Sequence, residues 1–177
     1  FRPLTLRAFF SQKILARQFL DDRVLRNKLF ADGFADSVGE AFAVTRAEHG
    51  ERSLEAARVL VAQGDLAYWR DENQRALDLQ LAALAIFSAA GERARAETAS
   101  AQFNVGATLR QLGRLEEALA AELQALELER ALHGDASLEY ADVAAGLALT
   151  LQNLDRPTEA IPHAALALAI RRRLLPA

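Results

Sequence analysis

The sequence predicts an all-α protein made of antiparallel helix pairs stacked in a right-handed superhelix, an α-solenoid, with about eight helices. Three observations carry this reading. First, residue types recur at a fixed step of 42: Gly64, Gly106 and Ala148; Ala76, Ala118 and Ala160; Ala83, Ala125 and Ala167; Leu84, Leu126 and Leu168. Leu77, Leu119 and Ile161 keep the step, as do Ile86, Leu128 and Ile170. Such a period marks a repeat array, in which each unit buries its apolar face against its neighbours. Second, apolar residues within a period lie three and four apart, the helical spacing, without strand-like alternation. Third, HGERSLE (49–55) returns as HGDASLE (133–139), two periods on, which puts a degenerate copy ahead of three fuller ones.

In chain order, residues 1–32 fit the period weakly. In PLTLRAFFSQKILARQFL the residues Leu4, Phe9, Phe10, Ile14, Leu15, Phe19 and Leu20 suit an amphipathic helix, and we read 1–32 as an N-terminal helical cap or degenerate repeat. The array itself is expected over 33–173: a partial repeat at 33–50, then repeats at about 52–90, 94–132 and 137–173, followed by a tail at 174–177. Gly50 and Gly134, each after a His, end second helices. Ser53 and Ser137 can cap the next ones, with Glu55 and Glu139 in their first turns. In the best copy, 101–134, Gly113 suits the left-handed backbone that closes a first helix, and Glu116 and Glu117 open the second. Gly106, Ala118 and Ala125 belong where helix backbones approach closely, while Leu109, Leu112, Leu115, Leu119 and Leu126 fill the space between. Pro162 removes one hydrogen bond near the start of the last helix, so a bend rather than a break is expected.

Composition narrows the function classes. The chain has 177 residues, 51% hydrophobic and 25% charged, which is globular rather than disordered, collagen-like or membrane-spanning. It has no cysteine, which removes disulfides, zinc-finger spacing and thiol catalysis and fits a reducing, cytoplasmic setting. The net charge of −3 hides an asymmetry: residues 1–30 carry seven Lys/Arg against Asp21 and Asp22, leaving a balance of −8 for the rest. Nucleic acid and membrane are therefore not expected as partners. Methionine is absent even at position 1, so we expect a segment of a longer protein. The Ala-, Leu- and Arg-rich usage points to a bacterial source.

The best copy carries a family resemblance. Asn104-Val105-Gly106 with Leu109, then Gly113-Arg114-Leu115-Glu116-Glu117-Ala118, resemble the first-helix and turn motifs of tetratricopeptide repeats in their 42-residue, kinesin-light-chain-like form. Asp155-Arg156-Pro157-Thr158-Glu159-Ala160-Ile161-Pro162 resembles the turn and second helix, including the proline after the small residue. The resemblance covers roughly 33–173 and implies a helical-repeat interaction module. Departures are Gln80, Glu122 and Ala164 in place of the usual second-helix aromatic, and Asp71 and Asp155 in place of the turn glycine. Looser packing is expected at these places.

Candidate chemistry is scarce. His49, His133 and His163 do not cluster and lack an HExxH-like pair, so no metal and no cofactor is expected; His49 and His133 read as helix-end residues. No nucleotide or nucleophile-elbow motif occurs, and Ser37 lacks the spacing. The neighbouring acids Asp21-Asp22, Asp71-Glu72 and Glu116-Glu117 would point to different sides of a helix, so no catalytic residue is assigned and an enzyme is not expected. Arg171-Arg172-Arg173 reads as a helix C-terminus.

The remaining candidate is the concave side lined by first helices. Residues four, seven and eight apart share a helix face, which gives three rows: Val61, Asp65, Tyr68 and Trp69; Phe103, Ala107, Arg110 and Gln111; Ala145, Leu149, Gln152 and Asn153. The resemblance implies a ligand-backbone contact for Asn104, whereas Ala62 and Gly146 stand at the matching places. Aromatic, Arg and amide side chains suit an extended peptide, so the expected partner is a peptide or protein segment. Tyr68 and Trp69 are equally suited to packing between repeats. The alternative is a self-associating array. The last helix, IPHAALALAIRRRLL, has no following helix over Ala165, Leu168 and Ala169, which allows a homodimer through terminal helices.

Overall fold

A computed structural model describes residues 43–45 and 47–175. The proposed N-terminal cap and most of the partial repeat at 33–50 lie outside the described residues; within that partial repeat, 43–45 and 47–49 are helical. Six longer helices follow: α1 (Leu54–Trp69), α2 (Asn73–Ala90), α3 (Arg95–Gln111), α4 (Leu115–His133), α5 (Leu138–Asn153) and α6 (Pro157–Leu174). No strand occurs among the described residues. Each helix packs against the next, α1 with α2, α3 with α4 and α5 with α6 forming antiparallel pairs, and α2–α3 and α4–α5 joining the pairs. This is the expected all-α solenoid.

Three connections of the same shape make the pairs. At Arg70–Glu72, Leu112–Arg114 and Leu154–Arg156 the middle residue has positive φ: 60° at Asp71, 74° at Gly113 and 58° at Asp155. Each time the following N–H bonds back across the turn, Glu72 to the Ala67 carbonyl, Arg114 to Leu109 and Arg156 to Leu151, at 2.9–3.0 Å. That bond satisfies a carbonyl the helix end would leave open. Two aspartates therefore adopt the backbone that glycine adopts at Gly113, and the turn does not loosen where glycine is missing.

The helix starts follow the expected rule where a serine is available. Ser53 Oγ accepts from Ala56 N and Ser137 Oγ from Tyr140 N, both at 3.1 Å. At the equivalent place before α3 there is Ala94 and no side-chain cap, and the chain enters through a 3-10 turn, Gly91–Ala94. α6 runs unbroken through Pro162. Arg171–Arg173 lie in its last turn, where Arg171 pairs with Asp142 at 2.7 Å.

The core is a chain of clusters rather than one centre, as a linear array requires. Ala57, Ala83, Phe87 and Ala101 form one; Leu77, Val105, Leu109 and Ala118 the next. Tyr140, Ala141, Ala144, Ala167 and Ile170, then Leu147, Leu151 and Ala160, complete it, with Leu126 packed against both of these last clusters. Alanine-rich clusters mean that helices approach closely, so glycine and alanine set the spacing.

Candidate functional site

First helices meet one another through side chains. Arg58 donates to Glu97 at 2.8 Å, Gln111 Nε2 to the Tyr68 hydroxyl at 3.3 Å, and Asn104 Nδ2 lies 3.5 Å from Asp65 Oδ1. Arg110 donates to the Gly146 carbonyl at 3.2 Å and the Thr150 hydroxyl at 3.1 Å, and α3 also touches α5 directly. These contacts put the candidate rows side by side on one surface.

Within that surface, the rows open only toward the turns. Val61 packs against the core cluster of Ala57 and Phe87, and Ala145 against that of Tyr140 and Ala144, so both belong to the interior rather than to a binding face. Phe103 is half-buried against Gly146; a Cβ at Gly146 would lie 2.6 Å from its ring. Asn104 is half-buried beside Asp65. Tyr68 and Trp69 are half-buried in an edge-to-face pair, centroids 6.0 Å apart and planes at 81°. Gln111, Gln152 and Asn153 are exposed, as is Leu149 at 52%. The sequence rows thus reduce to their C-terminal halves: Asp65, Tyr68, Trp69; Ala107, Arg110, Gln111; Leu149, Gln152, Asn153.

Beneath the middle row lies a network that sequence reasoning missed. Arg110 also donates to Glu122 of α4, whose side chain has no solvent exposure. Glu122 shares a hydrogen bond with Thr150, so α3, α4 and α5 meet at one carboxylate. Its second oxygen, Oε2, has no hydrogen-bond partner. Burial pushes the Glu122 carboxyl above the ordinary range, while the Thr150 hydrogen bond and the Arg110 charge pull it back. One period earlier, Thr108 donates to the buried Gln80 at 2.7 Å, the same first-helix threonine meeting the same second-helix position. The expected looser packing is therefore overturned at both sites. A polar side chain fills the usual aromatic position because the next helix brings a hydroxyl to meet it. Thr108 and Thr150, 42 apart, were the available signal.

The opposing glycines follow from this. A Cβ at Gly64 would sit 3.0 Å from Gln80 Cγ, and one at Gly106 only 2.6 Å from Glu122 Cγ. The third copy has Ala148 opposite the position of the short Ala164. A second buried acid, Glu129, lies about two turns further along the same face of α4, 3.7 Å from His133. Burial raises its pKa, with His133 lowering it and Glu139 adding to the rise. Among the described residues no group of three or more His, Asp or Glu could hold a metal ion, and no helix is long and apolar enough to cross a membrane.

Stacked helix pairs with short turns and a side-chain-rich first-helix face define a helical-repeat protein. The tetratricopeptide repeat profile matches residues 55–131 and again 97–173, and the chain belongs to the tetratricopeptide repeat family. Repeats of this family mediate protein–protein interaction. Among solved structures, BtubC (BKLC) from P. vanneervenii is similar with a TM-score of 0.72 and 16% identity, over 97% of this chain and 74% of that one. A kinesin light chain of Podospora anserina with nearly identical TPR-like repeats gives 0.71 and 13%, over 88% and 75%. The apo form of RapI gives 0.67 and 19%, covering 94% of this chain and 48% of RapI. No curated protein sequence matches.

Proposed function

We propose that the open halves of α1, α3 and α5 bind an extended peptide or protein segment, and that the chain serves as a non-enzymatic interaction module in a bacterial regulatory or scaffold protein. One observation carries the reading: Leu149 stands 52% exposed beside the exposed amides of Gln152 and Asn153, on the face where first helices meet. An apolar contact ringed by amides matches a peptide, whose backbone needs donors and acceptors and whose side chain needs apolar surface. The RapI likeness, in a protein of similar fold, agrees with a binding role. Panning a phage-displayed random peptide library against the chain tests it. A selected peptide should shift Trp69 emission to the blue and lose about tenfold in affinity on Leu149→Asp. Unchanged affinity in that variant contradicts the reading.

A second reading has its own observation. Ile161 is 65% and Leu168 50% exposed on α6, whereas the equivalent Leu77 on α2 is 1% exposed under α3. This face could pair two copies through their terminal helices. Light scattering decides: a monomer at high concentration contradicts self-association, and a dimer lost on Leu168→Glu supports it.

A further inference from the structure

The covered faces of the second helices show what the exposed face of α6 lacks. Leu77 of α2, with Leu84 beside it, packs in one cluster with Val105 and Leu109 of α3. Leu119 and Leu126 of α4 pack against Leu147 and Leu151 of α5. The third members of these columns, Ile161 and Leu168 of α6, stand 65% and 50% exposed. Between the two columns lie Gln80 on α2 and Glu122 on α4, both buried and both met by a threonine of the covering helix: Gln80 by Thr108 at 2.7 Å, Glu122 by Thr150. The α6 residue at that position is Ala164, which is exposed. It offers no polar group for a threonine to meet, and it leaves a hollow where the longer side chains project from α2 and α4. A cover for α6 must therefore be apolar at this point and must fill the hollow.

α6 itself has such a surface. Ile161, Ala164, Ala165, Leu168 and Leu175 are all exposed and follow one another at helical steps along one side. Leu168 stands one turn from Ala164 on that side. In an antiparallel pair of α6 helices with the two-fold axis between these residues, each Leu168 falls on the Ala164 of the other copy, large onto small twice over. The same arrangement keeps like charges apart. Arg171 is tied to Asp142 at 2.7 Å and Arg173 to the Ala136 carbonyl at 3.2 Å. The exposed Arg172 of one copy would lie roughly 18 Å along the seam from that of the other, whereas a parallel pair would set the two side by side.

We propose that the exposed stripe of α6 takes the α6 of a second copy, antiparallel, with Leu168 of each chain seated on Ala164 of the other, and that Ala164 is the residue that admits it. The proposal rests on the self-association reading above and adds the register and the residue that decides it.

Sedimentation equilibrium of the wild-type chain and a set of α6 variants tests it. Ala164→Leu fills the hollow and Leu168→Ala empties the side chain that enters it, so each alone should raise the dimer dissociation constant about tenfold. The double variant Ala164→Leu with Leu168→Ala exchanges large for small on both copies and should return to within about threefold of the wild type. Ala164→Gln places an unpaired amide in the seam and should weaken the dimer about tenfold or more. Both positions are exposed and Gln80 already occupies the equivalent place on α2, so the variants should keep the wild-type circular dichroism spectrum. A wild-type dimer that Leu168→Glu dissolves but Ala164→Leu and Ala164→Gln leave unchanged overturns the proposal and spares self-association. So does a double variant as weak as the two single ones. A monomeric wild type, or a dimer that survives Leu168→Glu, overturns the self-association reading itself.

Discussion

The guanidinium of Arg110 on α3 donates to the carboxylate of Glu122 on α4, which has no solvent exposure, and the same guanidinium reaches Thr150 on α5. Two adjacent repeats are therefore held at one buried charge pair. Removing one partner of such a pair leaves the other unpaired, while a neutral isostere keeps most hydrogen bonds. Glu122→Ala should cost about 3 kcal/mol of unfolding free energy and Glu122→Gln within about 1 kcal/mol either way. Urea titrations followed by circular dichroism check it, and equal losses in the two variants would contradict the pairing.

The two buried acids of α4 give the stability a pH dependence. Desolvation raises the pKa of Glu122 and Glu129 in the folded chain. A carboxyl that holds its proton more tightly when folded contributes stability below its unfolded value of about 4.3, and that contribution fades as pH rises through the raised folded value. The wild type should therefore lose stability relative to the Glu122→Gln, Glu129→Gln double variant as pH rises above the unfolded carboxyl value of about 4.3. Urea midpoints of both chains at each pH show this. A constant gap would contradict it.

At Gly106, α3 approaches α4 closely. A Cβ there would lie 2.6 Å from Glu122 Cγ and 3.3 Å from the Ala118 carbonyl oxygen, inside contact distance on a side chain that has nowhere to move. Gly106→Ala should destabilise by about 2 kcal/mol, although alanine favours a helix over glycine by about 1 kcal/mol. A raised melting temperature would show that the helices can separate at no cost.

The turns invite substitutions of opposite sign. At Asp155, φ is 58°, a conformation that glycine adopts without strain. Asp155→Gly should leave stability unchanged or raise it by up to about 1 kcal/mol, and Gly113→Ala should lower it by about 1 kcal/mol. Thermal melts of the two variants check the pair together, and a gain from Gly113→Ala would contradict the shared turn geometry.

The architecture was legible because it rests on local signals repeated three times. The 42-residue columns placed Leu77, Ala83 and Ala118 in the core, where they are buried, and the serines 53 and 137 cap helices as the motif requires. The surface was less legible. Helical periodicity grouped Val61 and Ala145 with the open residues because one face of a helix carries both a groove and an interface with the next repeat. Arg110 looked like a ligand anchor because its partner Glu122 sits on another helix, twelve residues away, at a position whose usual aromatic gave no hint of a charge. Asp71 and Asp155 looked like defects because aspartate rarely takes positive φ, yet the backbone bond to Ala67 or Leu151 is the same with either residue.

Hydrogen–deuterium exchange of the chain with and without a library-selected peptide tests the binding surface most directly. Amides of the first-helix halves 65–69, 107–111 and 149–153 are expected to slow on binding, with those of 161–168 unchanged. Protection confined to α2, α4 or the 161–168 stretch of α6, with the first helices unaltered, would contradict the account.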